Sequence, residues 1–183
     1  MIVLRTPLWG GRLGVRSLFP EDVGQAYVGW LNDPETIMYT EARHETHSFE
    51  TLLTYVESLG TRENEHLMGI FEKLGGRHVG NIKLGPVHPR QLCASIGVII
   101  GEKDCRGRGY ATEAIGLAVR FAFEQLKLHK LTAGVIQGNE ASLRAFEKNL
   151  FIIEGVRRKQ NCCGGAWRDE TLLGLLAEDW SNA

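Results

Sequence analysis

The stretch that most constrains this chain is Cys93–Ala114, where an apolar run, a glycine-rich turn and an amphipathic helix follow one another. Cys93–Ile100 carries only one hydroxyl, that of Ser95, among apolar residues and glycine, the mark of a central, buried strand. Arg106-Gly107-Arg108-Gly109 then leads into a helix. Its Ala111, Ala114, Ile115, Leu117, Ala118, Phe121 and Ala122 recur at helical spacing and give one broad apolar stripe. The free N–H groups of such a helix's first turn point at one place, and glycines let a ligand approach the backbone closely. Together they make an anion site suited to a pyrophosphate. Arg106 and Arg108 add charge at its rim. Two common phosphate loops are excluded. No G-x-x-x-x-G-K-[ST] run occurs, and Gly107-x-Gly109 is followed by Thr112 where a Rossmann turn needs glycine or alanine.

The turn resembles the R/Q-x-x-G-x-G/A signature of the GNAT N-acetyltransferase family, matched by Arg106, Gly109 and Ala111. The phrase Gly109-Tyr110-Ala111-Thr112-Glu113-Ala114 is similar to that of its RimJ/RimL-type branch. A second block, Asn139-Glu140-Ala141-Ser142 followed by Phe146 and Lys148-Asn149-Leu150-Phe151, resembles the family's N-x-x-S…K-x-G-F segment. Leu150 stands where glycine is usual, so a left-handed cap displaced to Asn149 is expected there. Gly165-Ala166-Trp167-Arg168-Asp169 is similar to the family's final hairpin, and the resemblance covers nearly the whole chain.

The resemblance implies a mixed α/β fold. Its central, mostly antiparallel sheet is splayed between the fourth and fifth core strands, here Cys93–Ile100 and Leu131–Ile136, and flanked by helices. Acetyl-CoA is then the co-substrate, with its pantetheine arm in the gap, bonded like an added strand to Val98, Ile99 and Ile100. The implied cofactor site also takes in Arg106, Gly107, Arg108, Gly109, Tyr110, Ala111, Thr112, Asn139 and Ser142. The Ile99 backbone N–H is the expected oxyanion donor, and Ser142 the candidate proton donor to the leaving thiolate. Each has a plainer reading: Asn139 as a helix N-cap, Ser142 as a first-turn residue. The acceptor amine attacks directly, so no Ser or Cys nucleophile is needed.

The acceptor is expected between the first two helices and the final hairpin, with Glu41, Arg43, His44, Ser95 and Trp167 as candidate contacts. Glu41, His44, Glu45 and Ser95 are the candidate bases. Asp33–Glu50 holds five acids against one base, Arg43; it is either an acidic mouth for a cationic amine or a solvated face. Trp30–Glu35 and Tyr39–Arg43 are similar to RimJ/RimL-type enzymes that acetylate nucleotide-linked amino sugars, which would let Arg43 meet a phosphate or sugar hydroxyl. The alternatives are a protein N-terminus, a polyamine or drug-like amine, or a CoA-binding module without catalysis.

The remaining sequence fits one domain over residues 1–183, in the order β-β-α-α-β-β-β-α-β-α-β-β. Strands are expected at Met1–Arg5, Arg12–Leu18, His66–Lys73, His78–Val87, Phe151–Arg157 and Glu170–Leu176. Helices are expected from Phe19 to about Leu31, from Ser48 to Gly60 and over Ser142–Asn149. A net charge of −1 shows no nucleic-acid footprint, and no apolar run reaches membrane-spanning length. Met1–Pro7 lacks the pattern of a signal peptide, so the cytoplasm is the expected compartment. Cys93, Cys105, Cys162 and Cys163 lack metal-site spacing, so no metal is expected. The family resemblance implies that a homodimer is common.

Overall fold

A computed structural model describes residues 2–182 and shows one eight-stranded sheet with helices on both faces. The strands are β1 (Leu8–Trp9), β2 (Leu13–Ser17), β3 (His66–Glu72), β4 (His78–Leu84), β5 (Cys93–Ile100), β6 (Lys130–Ile136), β7 (Ile152–Cys163) and β8 (Ala166–Leu176). They lie in the order β1-β2-β3-β4-β5-β6-β8-β7. Only β5 and β6 run parallel. The helices are α1 (Gln25–Asn32), α2 (Pro34–Ile37), α3 (Phe49–Leu59), α4 (Tyr110–Arg120), α5 (Glu140–Glu147) and α6 (Ala177–Ser181).

The apolar stripe of α4 does what its spacing predicts. Ala114, Ile115, Leu117 and Ala118 are buried on one sheet face against Leu13, Val15, Ile70, Ile82 and Ile96. Each large apolar side chain buried this way stabilises the fold by roughly 1.5–3 kcal/mol. Truncating Ile115, fully buried, to Ala would cost about 2–5 kcal/mol. The other face is covered by a smaller cluster, in which Tyr27 and Trp30 of α1 meet Leu52 and Val56 of α3.

The splay is visible in the register. β5 and β6 pair only at Cys93–Lys130, Ala94–Leu131 and Ser95–Thr132. Beyond Ser95 each strand keeps only its other neighbour, β4 for β5 and β8 for β6. A wedge-shaped gap therefore opens between two strand edges.

Several expectations need correction. The first strand is Leu8–Trp9; residues 2–5 form no strand, and Met1 of the expected Met1–Arg5 lies outside the described residues. The helix from Phe19 is broken into a short 3-10 turn, Pro20–Asp22, and α1, with Gly24 as the α1 N-cap. Asn32 does end α1, but Pro34 opens α2, with the Asp33 side chain capping it. The strand expected to reach Val87 stops at Leu84, and the last two strands are longer than the sequence suggested, joined at Gly164-Gly165. Leu150 itself takes the left-handed conformation (φ 68°), so the cap is not displaced. Asn149 serves differently: its Nδ2 donates to Thr112 O at 3.0 Å and Ala145 O at 2.8 Å, fastening α5 to α4.

Candidate active site

A cleft of about 1250 Å³ runs through the gap from the α4–α5 side to the α1–α3 side. That is more than the roughly 300–1000 Å³ of a pocket for one small ligand, leaving room for two.

On the first side the cleft is made mainly of backbone. Gly107 (φ 69°) and Gly109 (φ 78°) hold the left-handed conformation that side chains resist, and Gly109 is the N-cap of α4. Gly107, Gly109, Tyr110, Ala111 and Thr112 line the cleft there. Val98, Ile99 and Ile100 line it too, but their backbone groups point in different directions. The Gly101 N–H donates to Val79 O and the Gly85 N–H to Ser95 O, each at 2.9 Å. With the register between them, these bonds make Asn81–Ile99 a pair that exchanges both ladder bonds. The Ile99 N–H is therefore committed to β4. The N–H groups of Val98 and Ile100 face the gap instead, so the expected Ile99 donor does not point into it.

The two arginines are engaged as well. Arg106 donates to Ile100 O at 3.2 Å and pairs with Glu35 at 3.3 Å, and it also reaches Thr36 Oγ1 and Gly101 O. It lines the cleft, yet it ties the end of β5 to α2. Arg108 lies outside the cleft lining, donating to Asp104 O at 3.3 Å and sitting 5.6 Å over the Tyr110 ring. The Tyr110 hydroxyl donates to Glu72 at 2.8 Å, and this bond raises its pKa. It is turned away from proton transfer in the gap.

Asn139 and Ser142 both line the cleft. The Asn139 side chain accepts the Ser142 N–H at 3.3 Å, so Asn139 is the α5 N-cap, with its own amide N–H groups left over. The Ser142 hydroxyl makes no hydrogen bond among the described residues, which leaves it available to a ligand. Phe146 lies in the same wall.

The α1–α3 side is made of side chains from distant parts of the chain. Tyr27, Tyr39, His47 and Tyr55 join Asn81 and Lys83 of β4. Sequence reasoning missed all six; only their alternation with core residues along β4 hinted at Asn81 and Lys83. Burial and the neighbouring Tyr55 raise the Tyr27 pKa, so its phenol stays neutral. Burial works against the Lys83 charge, but Glu65 (2.9 Å) and the Tyr55 hydroxyl (3.2 Å) outweigh it and hold the pKa up.

Of the expected acceptor contacts, Glu41 lines the cleft, and so does Glu45. Arg43, His44, Ser95 and Trp167 are not part of that lining. Arg43 donates to Thr40 O and pairs with Glu41, while His44 is mostly exposed beside Glu41. Ser95 donates to Gly85 O, and Trp167 stands 64% exposed near the hairpin tip. The acidic run is largely neutralised: Asp33 and Glu35 pair with Lys103, Glu35 also with Arg106, and Glu41 with Arg43. Glu35, Glu41 and Glu45 nevertheless line the cleft, so the run turns acids to the mouth as well as to solvent. Among the described residues no group of three metal-ligating side chains occurs, and no helix is long and apolar enough to cross a membrane.

With this geometry in hand, comparison with known proteins is direct. The model of the acetyltransferase (GNAT) domain family matches residues 12–151. The chain is 36% identical over 171 residues to the SPbeta prophage-derived uncharacterized N-acetyltransferase YokL of Bacillus subtilis, covering 93% of each. It is 37% identical over 119 residues to the "Probable N-acetyltransferase YjcK" of the same organism, covering 64% of this chain and 65% of that one, just under two thirds of its length. In fold it is similar to a spermidine N-acetyltransferase from Vibrio cholerae, solved with CoA and spermine. The TM-score is 0.86 at 20% identity, covering 94% of this chain and all of that one.

Proposed function

Because the chain belongs to the GNAT acetyltransferase family, an acetyl-CoA-dependent N-acetyltransferase, we propose that its cleft brings a primary amine to acetyl-CoA for direct attack. Residues 1–183 act as one catalytic domain on this reading. The observation that carries it is the unpaired edge of β5 facing the gap beside the α4 N-terminus. The pantetheine arm adds to that edge as a strand would, and the pyrophosphate lies at the Gly107–Thr112 turn. The thioester carbonyl meets an N–H of Val98 or Ile100, donors that turn with the strand and cost no reorganisation when the oxyanion develops. Ser142 protonates the thiolate as the tetrahedral intermediate collapses. The atoms balance: the amine nitrogen bonds the acetyl carbon, the C–S bond breaks, the proton lost by nitrogen leaves to water through the acceptor end, and water returns a proton to the Ser142 oxygen once it has given its own to sulfur.

The amine enters from the α1–α3 side, and a nucleotide-linked amino sugar is the acceptor this reading favours. Spermidine is the competing acceptor, since the V. cholerae enzyme of similar fold is named for it. Release of free CoA thiol from acetyl-CoA, measured with a nucleotide amino sugar, a peptide N-terminus and spermidine in parallel, tests the reading. Thermal stabilisation by acetyl-CoA without turnover of any amine would instead favour a non-catalytic CoA-binding module.

A further inference from the structure

One polar group in the cleft wall has no task in the scheme above. Asn81 of β4 is 4% exposed and lines the cleft, and its Nδ2 has no hydrogen-bond partner. A buried amide donor left unsatisfied costs about 1–3 kcal/mol, so a fold keeps one only where something compensates it.

The neighbouring His78 fixes which end of that amide is left without a partner. The His78 Nε2 lies 3.0 Å from Gly80 O and 2.8 Å from Asn81 Oδ1. A main-chain carbonyl can only accept, so Nε2 must carry the proton. The Asn81 atom that shares this proton must then be the oxygen, and the amide nitrogen is turned the other way. The His78 ring cannot drift out of the arrangement. It stacks on Phe71 at 4.9 Å and meets the edges of Trp30 and Tyr27 at 5.0 and 6.0 Å. Burial lowers its pKa and keeps the ring neutral.

The space beside Asn81 is open by design of the sheet. Gly97 lies across from Lys83 in the register, two pairs along from Asn81–Ile99 and so on the same face, and a Cβ placed on Gly97 would meet nothing within 4 Å. Lys83, the other donor on this floor and a cation, is already held by Glu65 and Tyr55. The uncommitted group at the floor is therefore a donor and asks for an acceptor atom. An ammonium-bearing chain such as a polyamine offers only donors, whose partners in the lining are the Glu41 and Glu45 carboxylates and not this amide. A sugar hydroxyl or a carbonyl next to the reacting amine offers the oxygen that is wanted.

Resting on the reading that the amine enters from this side, we propose that Asn81, oriented by His78, receives an oxygen neighbouring the acceptor amine. It thereby selects hydroxyl- or carbonyl-bearing amines over polyamines. Asn81 is the contact, and His78 is a positioning residue that acts through it.

The test measures CoA release by the full chain with a dTDP-linked amino sugar and with spermidine, for wild type, Asn81→Ala, Asn81→Ser and His78→Phe. Wild type should prefer the amino sugar. Asn81→Ala should lower kcat/KM for it about tenfold or more through KM, the usual scale for an unpaired partner, and leave the spermidine rate and the acetyl-CoA KM within about twofold. Asn81→Ser, which keeps a short donor, should recover part of the loss, and His78→Phe should raise the amino-sugar KM by a smaller factor. An equal loss with both amines, or a wild type that prefers spermidine, overturns this proposal and leaves the acetyltransfer reading standing. A wild type that turns over no amine at all removes both. Should Asn81→Ala not fold, the serine and His78 variants carry the same comparison.

Discussion

On the α4–α5 side the cleft is shaped by main chain, whereas on the α1–α3 side it is shaped by side chains. The first side depends on two glycines at φ 69° and 78°, the opening turn of α4 and the β5 edge, all within residues 98–112. The second gathers Tyr27, Tyr39, Tyr55 and Asn81 from four separate elements and loops. Main-chain sites tolerate many side chains but few changes of conformation. Side-chain sites invert that: the backbone can stay while chemistry changes. Such a division suits an enzyme that keeps one co-substrate, since new acceptors can be reached by altering only the second wall.

The largest expected effect breaks the first wall. Gly109→Val forces a branched residue into the left-handed region at the α4 N-cap and puts its side chain where a pyrophosphate would lie. CoA affinity, measured by calorimetry on variant shown folded by circular dichroism, should fall about 100-fold or more. Unchanged affinity would mean that main chain is not what holds the cofactor. Next in size is Ser142→Ala. If the hydroxyl protonates the thiolate, kcat should fall about 100-fold with little change in the acetyl-CoA KM. A kcat within about threefold of wild type, under 1 kcal/mol, would remove Ser142 from the chemistry.

The same division explains what was legible in the sequence. The glycine turn and the α4 stripe lie in one stretch and could be read directly, whereas the gap between Cys93–Ile100 and Leu131–Ile136 came from the family resemblance. What failed there was parity. Whether Ile99 or its neighbours face the gap depends on which β4 residue pairs with which, and that register is a long-range fact. The acceptor side was opaque for a similar reason. Asn81 follows Gly80 in an ordinary strand, and nothing local says that His78 will lock it or that Gly97 will leave room above the sheet. Composition left Asp33–Glu50 open between two readings, because the cations that pair with Asp33 and Glu35 come from Lys103 and Arg106, about 70 residues away. Leu150 was misjudged because the backbone turns left-handed at that position although propensity opposes it in leucine.

Glu113 sharpens the comparison from another angle, since it belongs to the family phrase yet is not part of the cleft lining. Its carboxylate accepts the Arg12 and Leu13 N–H groups at 2.7 and 3.0 Å and the Arg12 guanidinium at 3.1 Å, fastening α4 to β2. Burial raises its pKa, but these three donors outweigh burial and bring it below the usual carboxylate range. A depressed pKa contributes stability that is fully present above the unfolded value, about 4.3, and lost as pH falls through it towards the folded one. Glu113→Gln should therefore cost about 1–2 kcal/mol in denaturant unfolding at pH 7, with the gap to wild type narrowing below about pH 4. CoA affinity should hold. A gap that stays constant with pH would show that the charge is not what matters.

The smallest expected effect falls on Arg106, where the two walls meet. As a motif residue it is expected at the pyrophosphate; as placed, its guanidinium spans from Ile100 O to Glu35, joining the cofactor strand to the helix that borders the acceptor side. The two roles separate in kinetics. A phosphate contact would raise only the acetyl-CoA KM in Arg106→Gln. A tie between the walls should raise both the acetyl-CoA and the amine KM by several-fold, about 1 kcal/mol each, because the partly exposed ion pair is worth little by itself and acts by holding β5 and α2 in place. Glu35→Gln provides the control. It cuts the same pair from the acceptor side and leaves the Ile100 bond intact, so it should raise the amine KM and spare that of acetyl-CoA. If Arg106→Gln moved the acetyl-CoA KM alone and Glu35→Gln moved nothing, the walls would be independent, and Arg106 would belong wholly to the cofactor.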